Sequence, residues 1–165
     1  MLSKPVLDLM NEQIAHEFYS AFLYLSMAAY FESENLPGCA GWMRVQFKEE
    51  QEHAMKFYDY ILDRGGKVSL KALPQPDVAF TSPLDVFKKS YEHEQKVTAL
   101  INNIYAAATD AKDTATQVFL HWFINEQVEE EKNVSSITEI LTKIGSSVGG
   151  LYQIDHQLGK RGGED

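Results

Sequence analysis

The stretch Met43-Arg44-Val45-Gln46-Phe47-Lys48-Glu49-Glu50-Gln51-Glu52-His53-Ala54-Met55-Lys56-Phe57 decides how the chain folds. Taken at alternating steps of three and four it gives Met43, Phe47, Glu50, Ala54, Phe57 and, just beyond, Ile61. That is the spacing of one buried helix face, and a carboxylate stands in the middle of it. Glu50 and His53 form Glu-x-x-His, which sets both side chains on that face one turn apart. A single acid on an apolar stripe ordinarily signals a misjudged helical phase, and a lone Glu-x-x-His ordinarily faces solvent. The reading therefore depends on whether other helices repeat the pattern.

Proline and glycine divide the chain at Pro37-Gly38, Gly65-Gly66, Pro74 to Pro83 and Gly145 to Gly150, with long runs of good helix formers between. Ser3 with Pro5 reads as a helix start. Ser82-Pro83-Leu84-Asp85 reads as another, with Ser82 as N-cap, Pro83 at the first helical position and Asp85 as capping-box acid. Asp113 is a third N-cap after a short polar turn. These signals predict helices over 4–33 (α1), 38–64 (α2), 83–109 (α3) and 113–144 (α4), with a shorter α5 after Gly150. The α1–α2 and α3–α4 links are short, so each pair should form an antiparallel hairpin. The proline-rich segment 65–82 is long enough to need a reason. Crossing the length of a bundle supplies one, and makes α2 and α3 parallel. Val68 to Leu73 reads as a short extended piece at most. The expected fold class is all-α, a four-helix bundle with one long α2–α3 crossover and a short fifth C-terminal helix.

The other three helices do repeat the pattern. The α1 stripe is Met10, Ile14, Glu17, Ala21, Tyr24, Ala28, and that of α3 is Leu84, Phe87, Tyr91, Glu94, Thr98, Ile101, Tyr105. The α4 stripe is Leu120, Phe123, Gln127, Glu130, Val134, Ile137, Leu141. The interruptions lie about a dozen or more residues into each helix, on the order of 20 Å from its start at ~1.5 Å rise per residue. Mid-helix meets mid-helix in a bundle, so the acids should converge in one buried layer. Burying several carboxylates together costs several kcal/mol or forces them to take up protons. No lysine or arginine lies on the stripes to offset them, whereas two divalent metal ions would. Carboxylates with one histidine suit iron or manganese rather than a thiolate-loving metal.

The remaining features narrow the classes. The chain has 165 residues, enough for a single domain, 1–165, with a full core. A formal net charge of −9 suits cations and argues against nucleic acid as a partner. One cysteine, Cys39, excludes an intrachain disulfide and an all-cysteine metal site. Without an apolar leader at the N-terminus or an ~18-residue apolar run, no membrane association is expected and a cytoplasmic location is the simplest reading. His16, His93, His121 and His156 fall off the stripes and read as surface or interhelix residues. Cys39 and Trp122 read as packing. Of Glu129, Glu130 and Glu131, only Glu130 falls on a stripe.

At this point the chain resembles the non-haem bacterial ferritins over nearly its whole length. The resemblance is carried by Asn11-Glu12-Gln13 through Glu17, by Glu49 to Ala54, by Tyr91-Glu92-His93-Glu94, by Phe123 to Glu130, and by Gly149-Gly150-Leu151-Tyr152. It implies a ferritin-like bundle and a ferroxidase centre of two irons per subunit. Glu17, Glu50 and His53 would hold the first iron. Glu50 would bridge to the second, completed by Glu94 and Glu130. Gln127 would join through hydrogen bonds, with Tyr24 as an aromatic partner beside the ligands. A third nearby iron position would take Glu49, Glu126, Glu129 and Glu130. The resemblance further implies a homo-oligomeric, hollow twenty-four-subunit shell that takes in Fe(II), oxidises it with O2 or H2O2, and stores the ferric mineral.

Two departures from bacterioferritins stand out. Their second Glu-x-x-His is replaced here by Gln127-Val128-Glu129-Glu130, and their haem-ligating methionine by Gln51, so no haem is expected. Rubrerythrin-like peroxide reductases usually append a four-cysteine iron domain, which one cysteine excludes. A di-iron oxygenase would need a substrate pocket beside the irons and generally a second histidine. DNA-protecting mini-ferritins place their ligands between subunits, whereas these ligands lie within one chain.

Overall fold

Helix boundaries follow the caps and breakers. The computed structural model describes residues 2–162. In it α1 spans Lys4–Ser33, α2 Pro37–Asp63, α3 Pro83–Asp110, α4 Thr114–Ile144 and α5 Val148–Leu158, and a 3-10 turn, Gly159–Gly162, follows. Ser82 Oγ accepts from Asp85 N (3.1 Å), and Asp85 Oδ2 accepts from Thr81 N (3.0 Å). Asp113 Oδ1 accepts from Thr116 N (3.1 Å). Ser3 holds the N-cap position of α1 but makes no side-chain capping bond. Helix α5 begins earlier than expected, inside the glycine cluster, because Ser147 Oγ accepts from Gly150 N and closes the first turn around both glycines (3.2 Å).

Two apolar clusters set the helix directions. One contains Met10 and Ile14 of α1, Ala54, Phe57 and Ile61 of α2, Ile101 and Ile104 of α3, and Leu120 and Phe123 of α4. The other contains Tyr24, Met27 and Phe31, then Met43, then Val86 and Phe87, then Val134, Ile137 and Leu141, together with Ile154 and Leu158 of α5. Helices α1 and α4 run from the first cluster to the second, and α2 and α3 run from the second to the first. The hairpins α1–α2 and α3–α4 are thus antiparallel, while α2 and α3 are parallel, as the long crossover requires.

The crossover is pinned along α1. Asn11 Nδ2 donates to Lys67 O (3.2 Å) and Asn11 Oδ1 accepts from Ser69 N (2.6 Å). Ser26 Oγ donates to Asp77 O at the other end (2.7 Å). From Asn11 to Ser26 is about 22 Å of helix at ~1.5 Å per residue, about half the length of α1. Residues 66–81 form no strand, so the extended piece expected at Val68–Leu73 is irregular chain. Its order comes from bonds to α1 rather than from a ladder.

The α3 stripe is rotated from the one read in the sequence. Tyr91, Thr98 and Tyr105 are only partly buried, and the core face is Val86, Phe87, Ser90, Glu94, Val97, Ile101, Ile104 and Ala108. Small side chains, Ser90 and Ala108, let α3 approach closely on a face that its large aromatics border.

Candidate metal centre

Between the two apolar clusters lies a polar layer built from all four long helices. Glu17 follows Ile14 on α1, Glu50 precedes Ala54 on α2, Glu94 sits between Phe87 and Val97 on α3, and Gln127 and Glu130 separate Phe123 from Val134 on α4. Glu17, Glu50, His53, Glu94, Gln127 and Glu130 are all at most 4% exposed. Each stripe residue that broke the apolar pattern is therefore inside, at one level.

Within this layer Glu17, Glu50 and His53 each offer a ligand atom within 4.8 Å of the other two. His53 Nδ1 faces Glu50 Oε2 at 3.5 Å. Glu17 Oε1 accepts from Gln13 Nε2 (2.9 Å), but Glu17 Oε2 and Glu50 Oε2 are buried with no hydrogen-bond partner. A buried carboxylate oxygen without a donor is costly, and two such oxygens grouped with one imidazole suit a cation.

Glu94 and Glu130 stand outside that trio, and protein donors hold both of them. Glu94 Oε1 accepts from the Tyr24 hydroxyl, and Glu94 Oε2 from Gln127 Nε2 (3.1 Å). Gln127 Nε2 also lies 3.3 Å from the Glu94 carbonyl and from Thr98 Oγ1. Glu130 Oε2 accepts from Gln46 Nε2 (2.8 Å). Tyr24 is wholly buried, edge-on to Trp42.

Burial and mutual repulsion favour protonated acids here. Burial, then the Glu50 charge, holds Glu17 well above the usual carboxylate range. Burial, then Glu94, does the same for Glu50. Burial pushes Glu94 to about 6, opposed by the Tyr24 and Gln127 bonds, and pushes Glu130 to about 7, helped by the Glu94 charge. Acids that resist ionisation in this way would have to release protons to any metal they bound.

The residues expected to form a third position are less gathered. Glu126 Oε1 lies 4.0 Å from His53 Nε2. Glu49 is partly buried, and Glu129 is exposed. Arg161, from the C-terminal turn, reaches Glu49, so the layer has a basic neighbour that no helix stripe revealed (2.7 Å). Gln46 also went unnoticed, since an amide one turn before Glu49-Glu50 carries no distinctive sequence signal. Trp122, read as packing, packs edge-on against His53, with ring centroids 5.3 Å apart and Lys56 Nζ on its ring (4.4 Å).

The off-stripe histidines behave as surface and interhelix groups. His93 Nε2 bonds Ser20 Oγ across α1 and α3 (2.7 Å), His121 stacks on Tyr105, and His156 is exposed. Cys39 is buried where α5 meets α2, and its N–H donates to Asp155 Oδ1 (2.8 Å).

A four-helix bundle with one long crossover and a carboxylate–histidine layer between two core halves defines the ferritin-like class of metal-binding proteins. The chain belongs to the ferritin family: the family model described as the ferritin-like domain matches residues 7–144. It is 42% identical over 161 residues to the bacterial non-heme ferritin of Staphylococcus aureus strain USA300, covering 98% of this chain and 97% of that one. The protein of the same name from Staphylococcus haemolyticus is 40% identical over 161 residues, with the same coverage. Among solved structures, the open-pore ferritin of the hyperthermophilic archaeon Archaeoglobus fulgidus superposes with a TM-score of 0.95 at 45% identity, covering 96% of this chain and 98% of that one.

Proposed function

We propose that this ferritin oxidises Fe(II) at the buried carboxylate layer and stores the ferric product inside a shell built from many copies of itself. The observation that carries the reading is the pair of donorless buried oxygens, Glu17 Oε2 and Glu50 Oε2, on two residues that gather with His53. Glu17, Glu50 and His53 take one iron as substrate. Glu50 bridges to a second held by Glu94 and Glu130, with Gln127 and Tyr24 orienting Glu94. Glu49, Glu126 and Glu129, sharing Glu130, form a weaker third position through which iron leaves.

Two adjacent Fe(II) ions each give one electron, so O2 takes up two electrons and two protons as hydrogen peroxide and no superoxide escapes. Hydrogen peroxide could serve as oxidant in the same way. Hard carboxylate oxygens favour the Fe(III) product over Fe(II), which lowers the barrier to oxidation. The layer's acids, protonated when metal-free, give up protons as iron binds.

Assembly is supported by exposed apolar side chains on α1 and the crossover, Phe22, Leu25, Leu70 and Val78, of a kind that mark contact surfaces. Twenty-four copies is the stoichiometry expected. No helix of the described residues is long and apolar enough to cross a membrane, in keeping with a cytoplasmic store.

Aerobic Fe(II) oxidation by the wild type and by Glu50→Ala with His53→Ala tests the reaction. The variant should fall to the rate of Fe(II) in buffer, and equal initial rates would overturn the assignment. Light scattering before and after iron loading tests the shell.

A further inference from the structure

Arg161 lies on the Gly159–Gly162 turn, beyond α5 and far from the stripes in sequence. Its Nη2 donates to Glu49 Oε2 (2.7 Å) and its Nη1 to Gln46 Oε1 (2.5 Å). The guanidinium lies against the Trp42 ring, with Cζ 4.7 Å from the centroid. The turn itself is seated on α2, since a Cβ at Gly159 would come within 3.1 Å of Gly38 Cα.

These contacts act at two depths. Gln46 is fully buried, and an amide has one acceptor end and one donor end. With Arg161 donating to Oε1, Nε2 must point at Glu130 Oε2, where it donates (2.8 Å). Arg161 thereby holds Gln46 in the orientation that donates to Glu130 and takes up one of its two oxygens. At Glu49 the effect is direct. The ion pair is only part-exposed, its Arg161 and Glu49 side chains being 27% and 35% exposed. A metal ion seeking Glu49 meets a positive charge already in place.

We propose that Arg161 is a tethered counter-cation that keeps the third metal position weak: a metal ion binding at Glu49 displaces the guanidinium and loosens the Gly159–Gly162 turn. This rests on the reading of the layer as an iron centre. It makes Arg161 a positioning residue, not a ligand, and turns the C-terminal turn into a reporter of how far the centre has filled. A position occupied by a fixed charge takes an ion only after the tighter ones are full, and gives it up readily.

The test is anaerobic calorimetric titration of the metal-free assembled protein with Zn2+, which is redox-inert, for the wild type, Arg161→Ala and Arg161→Lys. The tightest step should be unchanged, because Glu17, Glu50 and His53 do not touch Arg161. The weaker later step should tighten roughly two- to fivefold in Arg161→Ala, the range set by losing a partly exposed ion pair. Arg161→Lys keeps the charge and should return that step most of the way to wild type. Hydrogen exchange at residues 159–162 of the wild type should quicken only at Zn2+ levels beyond the tight steps. Tight steps present, with a later step identical in wild type and Arg161→Ala, would overturn the role of Arg161 alone. So would turn amides whose protection Zn2+ leaves unchanged. Absence of tight steps in the wild type would instead overturn the metal-centre reading, and this inference with it.

Discussion

The Tyr24 hydroxyl on α1 donates to Glu94 Oε1 on α3, joining two helices through the polar layer. Burial and then the Glu94 charge hold the phenol well above its usual range, so it stays a donor at any working pH. The bond therefore favours the ionised form of Glu94. Replacing Tyr24 by Phe removes it and leaves the rest of the ring in place. A buried hydrogen bond to a charged group is worth about 1.5–3 kcal/mol. The metal-free Tyr24→Phe variant should lose about that much stability at pH 8, where Glu94 is ionised, and less at pH 5, where it is protonated. Fe(II) oxidation should slow severalfold. Denaturant unfolding at the two pH values checks this, and an equal loss at both would count against it.

The layer makes the metal-free protein an unusual titrator. Glu94 moves from 4.5 to about 6 and Glu130 from 4.5 to about 7 on folding, both chiefly through burial. The folded state thus binds more protons than the unfolded one. The stability these groups contribute is fully present below about pH 4.5 and is lost as pH rises through 6 and 7. Asp113, held below its usual range by Thr116 and Arg64 against the effect of burial, acts only at lower pH and does not offset this. Metal-free Tm should therefore fall by several degrees between pH 5 and pH 8, and Zn2+ should restore it. Zn2+ binding should release more protons at pH 5.5 than at pH 8, seen as heats that depend on the buffer. A metal-free Tm that rises across this window would refute the account.

Most of this layer could be read in the sequence, and the reasons it could be are specific. Glu17, Glu50, Glu94 and Glu130 each replace an apolar residue in a helical period, and four such breaks at one level have no other economical meaning. Ser82, Asp85 and Asp113 announced their helices because capping is local chemistry. The phase of α3 is ambiguous in the sequence because Tyr91, Thr98 and Tyr105 also form a plausible apolar face, and only packing against α1 and α4 selects its neighbour. The α5 start was hidden by Gly149 and Gly150, which signal a break until Ser147 is known to cap them. Arg161 was invisible for a deeper reason. Its partners Gln46 and Glu49 are more than a hundred positions away, and nothing in the spacing of one segment reports on the other.

Glu50 should show opposite effects on stability and binding. In the metal-free protein it is 2% exposed, has one oxygen without a donor, and raises the pKa of its neighbour Glu17. Glu50→Leu exchanges a poorly satisfied acid for an apolar side chain of similar size between Phe47 and Ala54. An unsatisfied buried polar group costs about 1–3 kcal/mol, so removing it should be neutral or stabilising. The variant should unfold at equal or higher temperature than the metal-free wild type, yet gain nothing from Zn2+ or Fe2+. Thermal scans with and without metal decide it. A variant clearly less stable than the metal-free wild type would mean that Glu50 is structural first.

The junction of α5 with α2 should be the least tolerant backbone contact near the centre. A Cβ at Gly38 would fall 1.8 Å from the Asp155 carbonyl oxygen, which no side-chain movement can relieve. The same Asp155 accepts the Cys39 N–H, so pushing α5 away also uncaps the first turn of α2 (2.8 Å). Gly41, one turn on, has nothing within 4 Å of its would-be Cβ. The two glycines therefore predict opposite signs. Gly41→Ala should stabilise by up to about 1 kcal/mol, the helix-propensity difference. Gly38→Ala should destabilise by roughly 1–3 kcal/mol, as overpacking does. It should also increase exchange at residues 148–162, because α5 carries the turn that bears Arg161. Unfolding and hydrogen exchange on both variants check this. A Gly38→Ala protein as stable as wild type, with α5 still protected, would show that the helices can part without cost.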